Sequence, residues 1–402
     1  MKILHTCEFY WPHVGGAEEV VRAVSECLVS RGHEVTVATR KLPARSAVEH
    51  NGVKIREFDV SGDLALGFHG NVNTYLDFLR TADVDVMMNY ALQQWSSDLA
   101  LLLLPDLHYA TVGATCGLSG LYDPDYAGYF RQLPHMLRHY DRLIFHSSAY
   151  RDAQFARQHG IGHWHVVANA VHREEFATEP PPGLRNRLGV PDDHLLLLMV
   201  GNHTGAKGHR HVLDLFMRAA ISPATLLIIG KNIVNPYVPL EQEFAAQVSR
   251  VTCTSRGQKK VIFASLPRAD VVAAYFAADV FVFLSEIECS PLVLFEAAAS
   301  GTPFLASDAG NSAEIAEWTG AGILVPSSLS DRGLTVPNIS AAVPLLEKLC
   351  HDRELRHRMG ENGRKRVLEK YTWDRIVDRY EQIYEEAVRE KRARLGEGKI
   401  YT

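Results

Sequence analysis

Twice along this chain, short apolar runs of strand length alternate with amphipathic helical stretches, and that alternation leaves few folds open. Residues 2–7 read as a buried strand. Residues 17–30 follow as a helix, with Val20, Val21, Val24, Cys27 and Leu28 at helical spacing. Arg31-Gly32 ends it, and 33–39 is the next strand. Residues 85–89, 109–113, 142–146 and 163–167 continue the series, with helices between them. Such alternation specifies a parallel sheet covered on both faces. The pattern pauses at Glu179-Pro180-Pro181-Pro182-Gly183, where three prolines can continue neither a helix nor a central strand. A second series then opens at 195–200 and runs through 226–230, 261–264, 280–284, 303–307 and 322–325. From Trp373 onward a long helix carries Trp373, Val377, Tyr380, Tyr384 and Val388 on one stripe.

The expected fold class is therefore α/β, with two doubly wound Rossmann-like domains facing a central cleft. The expected divisions are an N-terminal, acceptor-side domain at 1–180 and a C-terminal, donor domain at 190–372. A helix at 373–402 is expected to cross back to the first domain. A chain of 402 residues suits two domains of ordinary size. The net charge of −5 argues against bulk binding to nucleic acid or to an anionic membrane. Six scattered cysteines without a CxxC make a disulfide framework or zinc site an unsuitable reading and point to a reducing cytoplasm. No apolar run approaches a membrane span, and Glu8 directly after the first short run argues against a signal peptide.

Open parallel sheets bind ligands beyond the C-terminal ends of their strands. The loops after strands therefore carry the search. The strongest signal is Ser285-Glu286-Ile287-Glu288-Cys289-Ser290-Pro291-Leu292-Val293-Leu294-Phe295-Glu296-Ala297. Ser290 suits a helix N-cap and Pro291 a first helical residue. The free amides of Leu292 and Val293 and the positive end of the helix dipole would then suit a phosphate, Pro291 itself having no N–H. Glu288 stands before this helix, and Glu296 lies roughly 8 Å further along it. A nucleotide sugar fits that layout, with ribose at Glu296 and the transferred sugar at Glu288. Alone, either glutamate would be an ordinary surface acid; the pair in a strand–loop–helix frame points to function.

Glu288 to Glu296 resembles the E-x7-E motif of the retaining glycosyltransferases of family 4, which have the GT-B fold. The likeness continues through Glu296-Ala297-Ala298-Ala299-Ser300-Gly301-Thr302-Pro303 and Ala306-Ser307-Asp308-Ala309-Gly310-Asn311. In that family the first glutamate sits by the donor sugar and the second holds the ribose. Gly201-Asn202-His203-Thr204-Gly205-Ala206-Lys207-Gly208 is similar to the family's G-R-x4-K-G loop, so Lys207 matches its phosphate-binding lysine. Asn202 stands where the family has arginine, which removes one cation. Gly15-Gly16-Ala17-Glu18 is similar to the G-G-x-E element beside donor phosphates and acceptor. Thr115-Cys116-Gly117 occupies the place of a His-Gly pair, putting Cys116 and Gly117 on the sugar or acceptor side; a cysteine there could not act as the histidine does. Asn169-Ala170-Val171 with Phe176 resembles the N-G-V-D…F segment and reads as structural.

Other elements read as structural. Asp123-Pro124-Asp125 imitates a D-x-D metal motif but suits a turn. The histidines at 163, 165, 209 and 211 read as surface or half-buried, and the basic run 353–366 as a solvated helix face.

The resemblance implies a metal-independent transfer, with retention, from a nucleotide sugar to a hydroxyl acceptor on a glycan, glycolipid or small molecule. Donor contacts would be Gly15, Gly16, Asn202, Lys207, Ser290, Pro291, Leu292, Val293 and Glu296, with Glu288 catalytic. No metal and no cofactor beyond the donor is expected, and no nucleic acid. A lipid-linked acceptor would bring a cytoplasmic chain to the inner membrane face. A sugar-nucleotide epimerase or hydrolase, or a silent sugar-nucleotide-binding protein, stands as the alternative.

Overall fold

The computed structural model describes residues 1–397, so residues 398–402 of the expected last helix lie outside the described residues. The chain forms two compact units. The first is Met1–Asn169 together with the chain from Trp373, and the second is Ala170–Thr372.

In the first unit β1 (Lys2–Thr6), β2 (Glu34–Arg40), β3 (Val53–Phe58), β4 (Val86–Tyr90), β5 (Ala110–Ala114), β6 (Arg142–Phe145) and β7 (Trp164–Val166) build one parallel sheet. Its order is β7-β6-β5-β4-β1-β2-β3, and Glu49–His50 adds an antiparallel edge beside β3. The progression reverses between β1 and β4. β4 and β5 are buried at every position, as strands covered on both faces must be. Helix α1 (Gly16–Ser30) buries Val20, Val21, Val24 and Leu28.

The second unit repeats the arrangement with β8 (Leu195–Val200), β9 (Ala224–Ile229), β10 (Lys259–Ala264), β11 (Val280–Phe283), β12 (Phe304–Ser307) and β13 (Gly322–Val325). The order is β10-β9-β8-β11-β12-β13, again parallel throughout. Helices α2 (His209–Arg218), α3 (Arg268–Ala277), α4 (Leu292–Ser300) and α5 (Arg353–Lys370) belong to this unit.

Helix α6 (Trp373–Glu397) belongs to the first unit and packs against α1. It buries Trp373, Val377, Tyr380, Ile383, Tyr384 and Ala387. Arg31 at the end of α1 pairs with Asp378 and Glu381.

The division between units falls after Asn169, ahead of the proline run at which the sequence pattern pauses. Val171 bridges to Thr372, Phe176 stacks on Phe276, and Arg364 donates to the Ala177 carbonyl at 3.0 Å. These contacts place residues 170–177 with the second unit, and 179–183 is irregular chain within it.

Candidate functional site

In the second sheet the progression reverses between β8 and β11. A crevice forms beyond the strand ends at such a switch point. The two loops singled out in the sequence leave those two strands. They lie against each other: the Glu286 amide donates to the Ala206 carbonyl at 2.8 Å, and Ser285 Oγ to the same oxygen at 3.1 Å. Gly208 makes this approach possible. Its φ is +75°, and a Cβ would stand 1.9 Å from the Leu284 carbonyl oxygen.

Contact between the loops brings Lys207 and Glu288 together, with Nζ 2.5 Å from Oε1. Glu288 is largely buried at 9% side-chain exposure, and Lys207 keeps 30%. A carboxylate thus already holds the lysine that the sequence resemblance assigns to phosphate. The ammonium also lies 5.9 Å from the centroid of the Phe283 ring.

Helix α4 begins at Leu292, one residue later than the sequence predicts. Pro291, at φ −69° and ψ 114°, takes the cap position in place of Ser290, and no side chain caps the helix. Ser290 is buried beside it. The first amides, from Leu292 and Val293, lack carbonyl partners a turn earlier in the helix, as at any helix start.

Glu296 is 8% exposed, far from the open acid that a bare motif implies. Its Oε2 accepts the Tyr275 hydroxyl at 2.8 Å, and its Oε1 lies 2.6 Å from Arg268 Nη2. Arg268 also donates to Glu175, from Nε at 3.0 Å and Nη2 at 2.6 Å. The two carboxylates raise the Arg268 pKa against the effect of burial, and burial raises that of Tyr275. No motif in the sequence marks any of these three partners. Arg268 opens α3 just beyond β10, so a survey of every loop after a strand would have found it.

Asn202 is committed to loop architecture: its Oδ1 accepts the Lys231 amide at 2.9 Å. His209, expected at or near the surface, is 1% exposed and stacks on Phe244 at 5.7 Å. Burial pushes its pKa down to about 4.

Within the first unit, Gly15 caps α1 and Gly16 begins it. The Glu18 carboxylate lies over Gly15, so a Cβ there would meet Oε2 at 2.2 Å. His13 stands 3.3 Å from Glu18. Cys116 and Gly117 follow β5, both with positive φ, at 58° and 90°. Cys116 Sγ is 4.0 Å from the Tyr90 hydroxyl, and the Gly117 amide donates to Asp152 at 3.2 Å. Glu8, beyond the end of β1, was passed over as a site residue; burial pushes its carboxyl up to about 7 against the pull of Arg40. Asp123 accepts the Asp125 amide at 3.1 Å within a turn at Pro124–Tyr126. No helix among the described residues is long and apolar enough to cross a membrane.

Comparison with known proteins agrees with this architecture. Residues 182–366 match the model for glycosyl transferases group 1, and 14–175 that for glycosyltransferase family 4. The chain is 23% identical to N-acetyl-alpha-D-glucosaminyl L-malate synthase of Bacillus anthracis, over 97% of this chain and 98% of that one. It is 27% identical to a GDP-mannose-dependent alpha-mannosyltransferase of Mycobacterium tuberculosis, over 98% of each. Among solved structures, sucrose-phosphate synthase from Thermosynechococcus elongatus superposes with a TM-score of 0.77 at 20% identity, over 96% of this chain and 98% of that chain. Anabaena HepE in complex with UDP-glucose superposes at 0.72 and 17% identity, over 96% and 98%. The fold is GT-B, and its class is that of the glycosyltransferases. Within that class the chain belongs to glycosyltransferase family 4.

Proposed function

We propose that this glycosyltransferase takes a sugar from a nucleotide-sugar donor, delivers it with retention to a hydroxyl acceptor, and needs no metal ion. The observation that carries this reading is the Lys207–Glu288 pair at the switch point, beside the amide end of α4. Lys207 and the amides of Leu292 and Val293 stabilise the leaving diphosphate, which is the work a metal would otherwise do. Glu288 lies on the sugar side of that anchor and favours positive charge developing at the anomeric carbon. Glu296 accepts the ribose hydroxyls. Gly15 and Gly16, after β1, contact the donor, and Cys116 and Gly117, after β5, serve the sugar or acceptor side.

Two relatives support a nucleotide-sugar donor: the mycobacterial one is named for GDP-mannose, and the Anabaena structure holds UDP-glucose. We assign the chain to the cytoplasm, with contact at the inner membrane face if its acceptor is lipid-linked.

A thermal-shift screen against UDP, GDP, dTDP and ADP sugars tests donor use, followed by turnover with the best donor. Activity should persist in EDTA. Loss on chelation, with recovery on Mn²⁺ or Mg²⁺, would overturn the metal-free scheme and return attention to Asp123 and Asp125. Incubation with donor alone should leave it mostly intact; a new sugar nucleotide would mean an epimerase.

A further inference from the structure

The geometry points to Arg268, Tyr275 and Glu175 as a positioning network that aims Glu296 at a vicinal diol, so that the enzyme selects ribonucleotide over 2′-deoxyribonucleotide donors. This rests on the assignment of Glu296 to the ribose. A carboxylate has about four lone-pair sites, two on each oxygen. One site on Oε1 is taken by Arg268 and one on Oε2 by Tyr275. Each oxygen therefore keeps one acceptor site, which matches two neighbouring hydroxyls that each donate one bond.

The carboxylate cannot turn without breaking both bonds. Arg268 and Tyr275 lie seven residues apart on α3, two turns along one helical face. The guanidinium is held by Glu175 as well, in a two-point contact from Nε and Nη2, and lies 6.0 Å from the Phe176 ring centroid. A fork of this kind fixes orientation as well as charge. A 2′-deoxyribose would leave one oxygen of a buried carboxylate short of a donor. Sites built to accept a hydroxyl reject analogues that lack it for this reason.

The test is calorimetric titration of the intact protein with UDP and GDP and with their 2′-deoxy counterparts. The ribo-to-deoxy affinity ratio is read for the base that binds. Wild type should favour the ribonucleotide by about tenfold or more, as expected for a bond to a charged group. Glu296→Ala should abolish the ratio. Tyr275→Phe should bring it close to one while inorganic pyrophosphate binds as before. Glu175→Gln, a change at a more exposed position, should reduce it in part and serves if Tyr275→Phe does not fold. Lys207→Ala should weaken both nucleotides and leave the ratio alone. A ratio lost in Glu296→Ala but retained in folded Tyr275→Phe and Glu175→Gln would overturn the network and leave the ribose assignment standing. A ratio near one in wild type, or one unmoved by Glu296→Ala, would overturn that assignment and the network with it.

Discussion

Lys207 and Glu288 hold each other across 2.5 Å, and this couples the expected effects of changing either. A donor's diphosphate must draw the ammonium away from a carboxylate, and in doing so it releases that carboxylate toward the sugar. Lys207→Ala should weaken nucleoside diphosphate binding by about 10- to 100-fold, as for one charge-assisted bond, while the nucleoside is little affected. Calorimetry with both ligands checks this, and an equal loss for the two would place Lys207 away from the phosphates. Glu288→Gln keeps the size of the side chain and removes the charge. Turnover with saturating donor should fall by about 10²–10³. Diphosphate affinity should hold or tighten, because Lys207 loses its competitor. A mutant with normal kcat and weakened diphosphate binding would mean that the roles of Glu288 and Glu296 are reversed.

The site depends on two loops meeting, and Gly208 is where they come closest. Gly208→Ala forces a side chain into a left-handed backbone, at a cost of about 1–2 kcal/mol, and also drives Cβ against the Leu284 carbonyl. Gly205→Ala is the control. Its φ is +89°, but its Cβ would meet only a Val234 methyl at 3.9 Å. Thermal melts should show a larger loss for Gly208→Ala, together with weaker diphosphate binding; equal losses would mean that loop contact contributes nothing. The loops themselves were legible because the strands feeding them are largely buried and read as apolar runs: 195–200 matches β8 residue for residue, and 280–284 overruns β11 by one. Strand β3, Val-Lys-Ile-Arg-Glu-Phe, escaped notice because it lies near the sheet edge and exposes alternate residues. The hairpins Val60–Asp63 with Gly67–Gly70 and Ser327–Leu329 with Thr335–Pro337 are too short and polar to stand out from loop. Glu288, Glu296 and Lys207 were visible as motifs, since chemistry repeats at fixed spacing. Partnership was not visible: Glu175 and Arg268 are 93 residues apart, and only the fold brings them together.

At the scale of the whole chain, a buried histidine ties the first strand to the last helix. His5 of β1 is fully buried, with Nδ1 2.7 Å from Ser25 Oγ on α1 and Nε2 3.0 Å from the Tyr384 hydroxyl on α6. Burial pushes its pKa down to about 3. The neutral ring is therefore the form the fold accepts. An unfolded chain takes a proton on His5 below about pH 6.5, while the folded chain does not until about pH 3. The stability this residue contributes is thus complete above about pH 6.5 and is lost as pH falls, by about 1.4 kcal/mol per unit. His209 in the second unit acts in the same sense. Glu8 and Asp98 act oppositely, because burial raises their carboxyls to about 7 and about 6 and the folded chain takes up their protons first. The pH profile of the wild type alone is consequently a partial cancellation, and a difference measurement is needed. His5→Gln removes the titration and leaves the other groups in place. Urea denaturation should show the variant less stable than wild type near neutrality. That gap should narrow by roughly 3 kcal/mol between about pH 6.5 and pH 4, and stay flat above. A gap independent of pH would mean that His5 takes up its proton at the same pH in the folded and unfolded chains, so that burial does not hold the ring neutral.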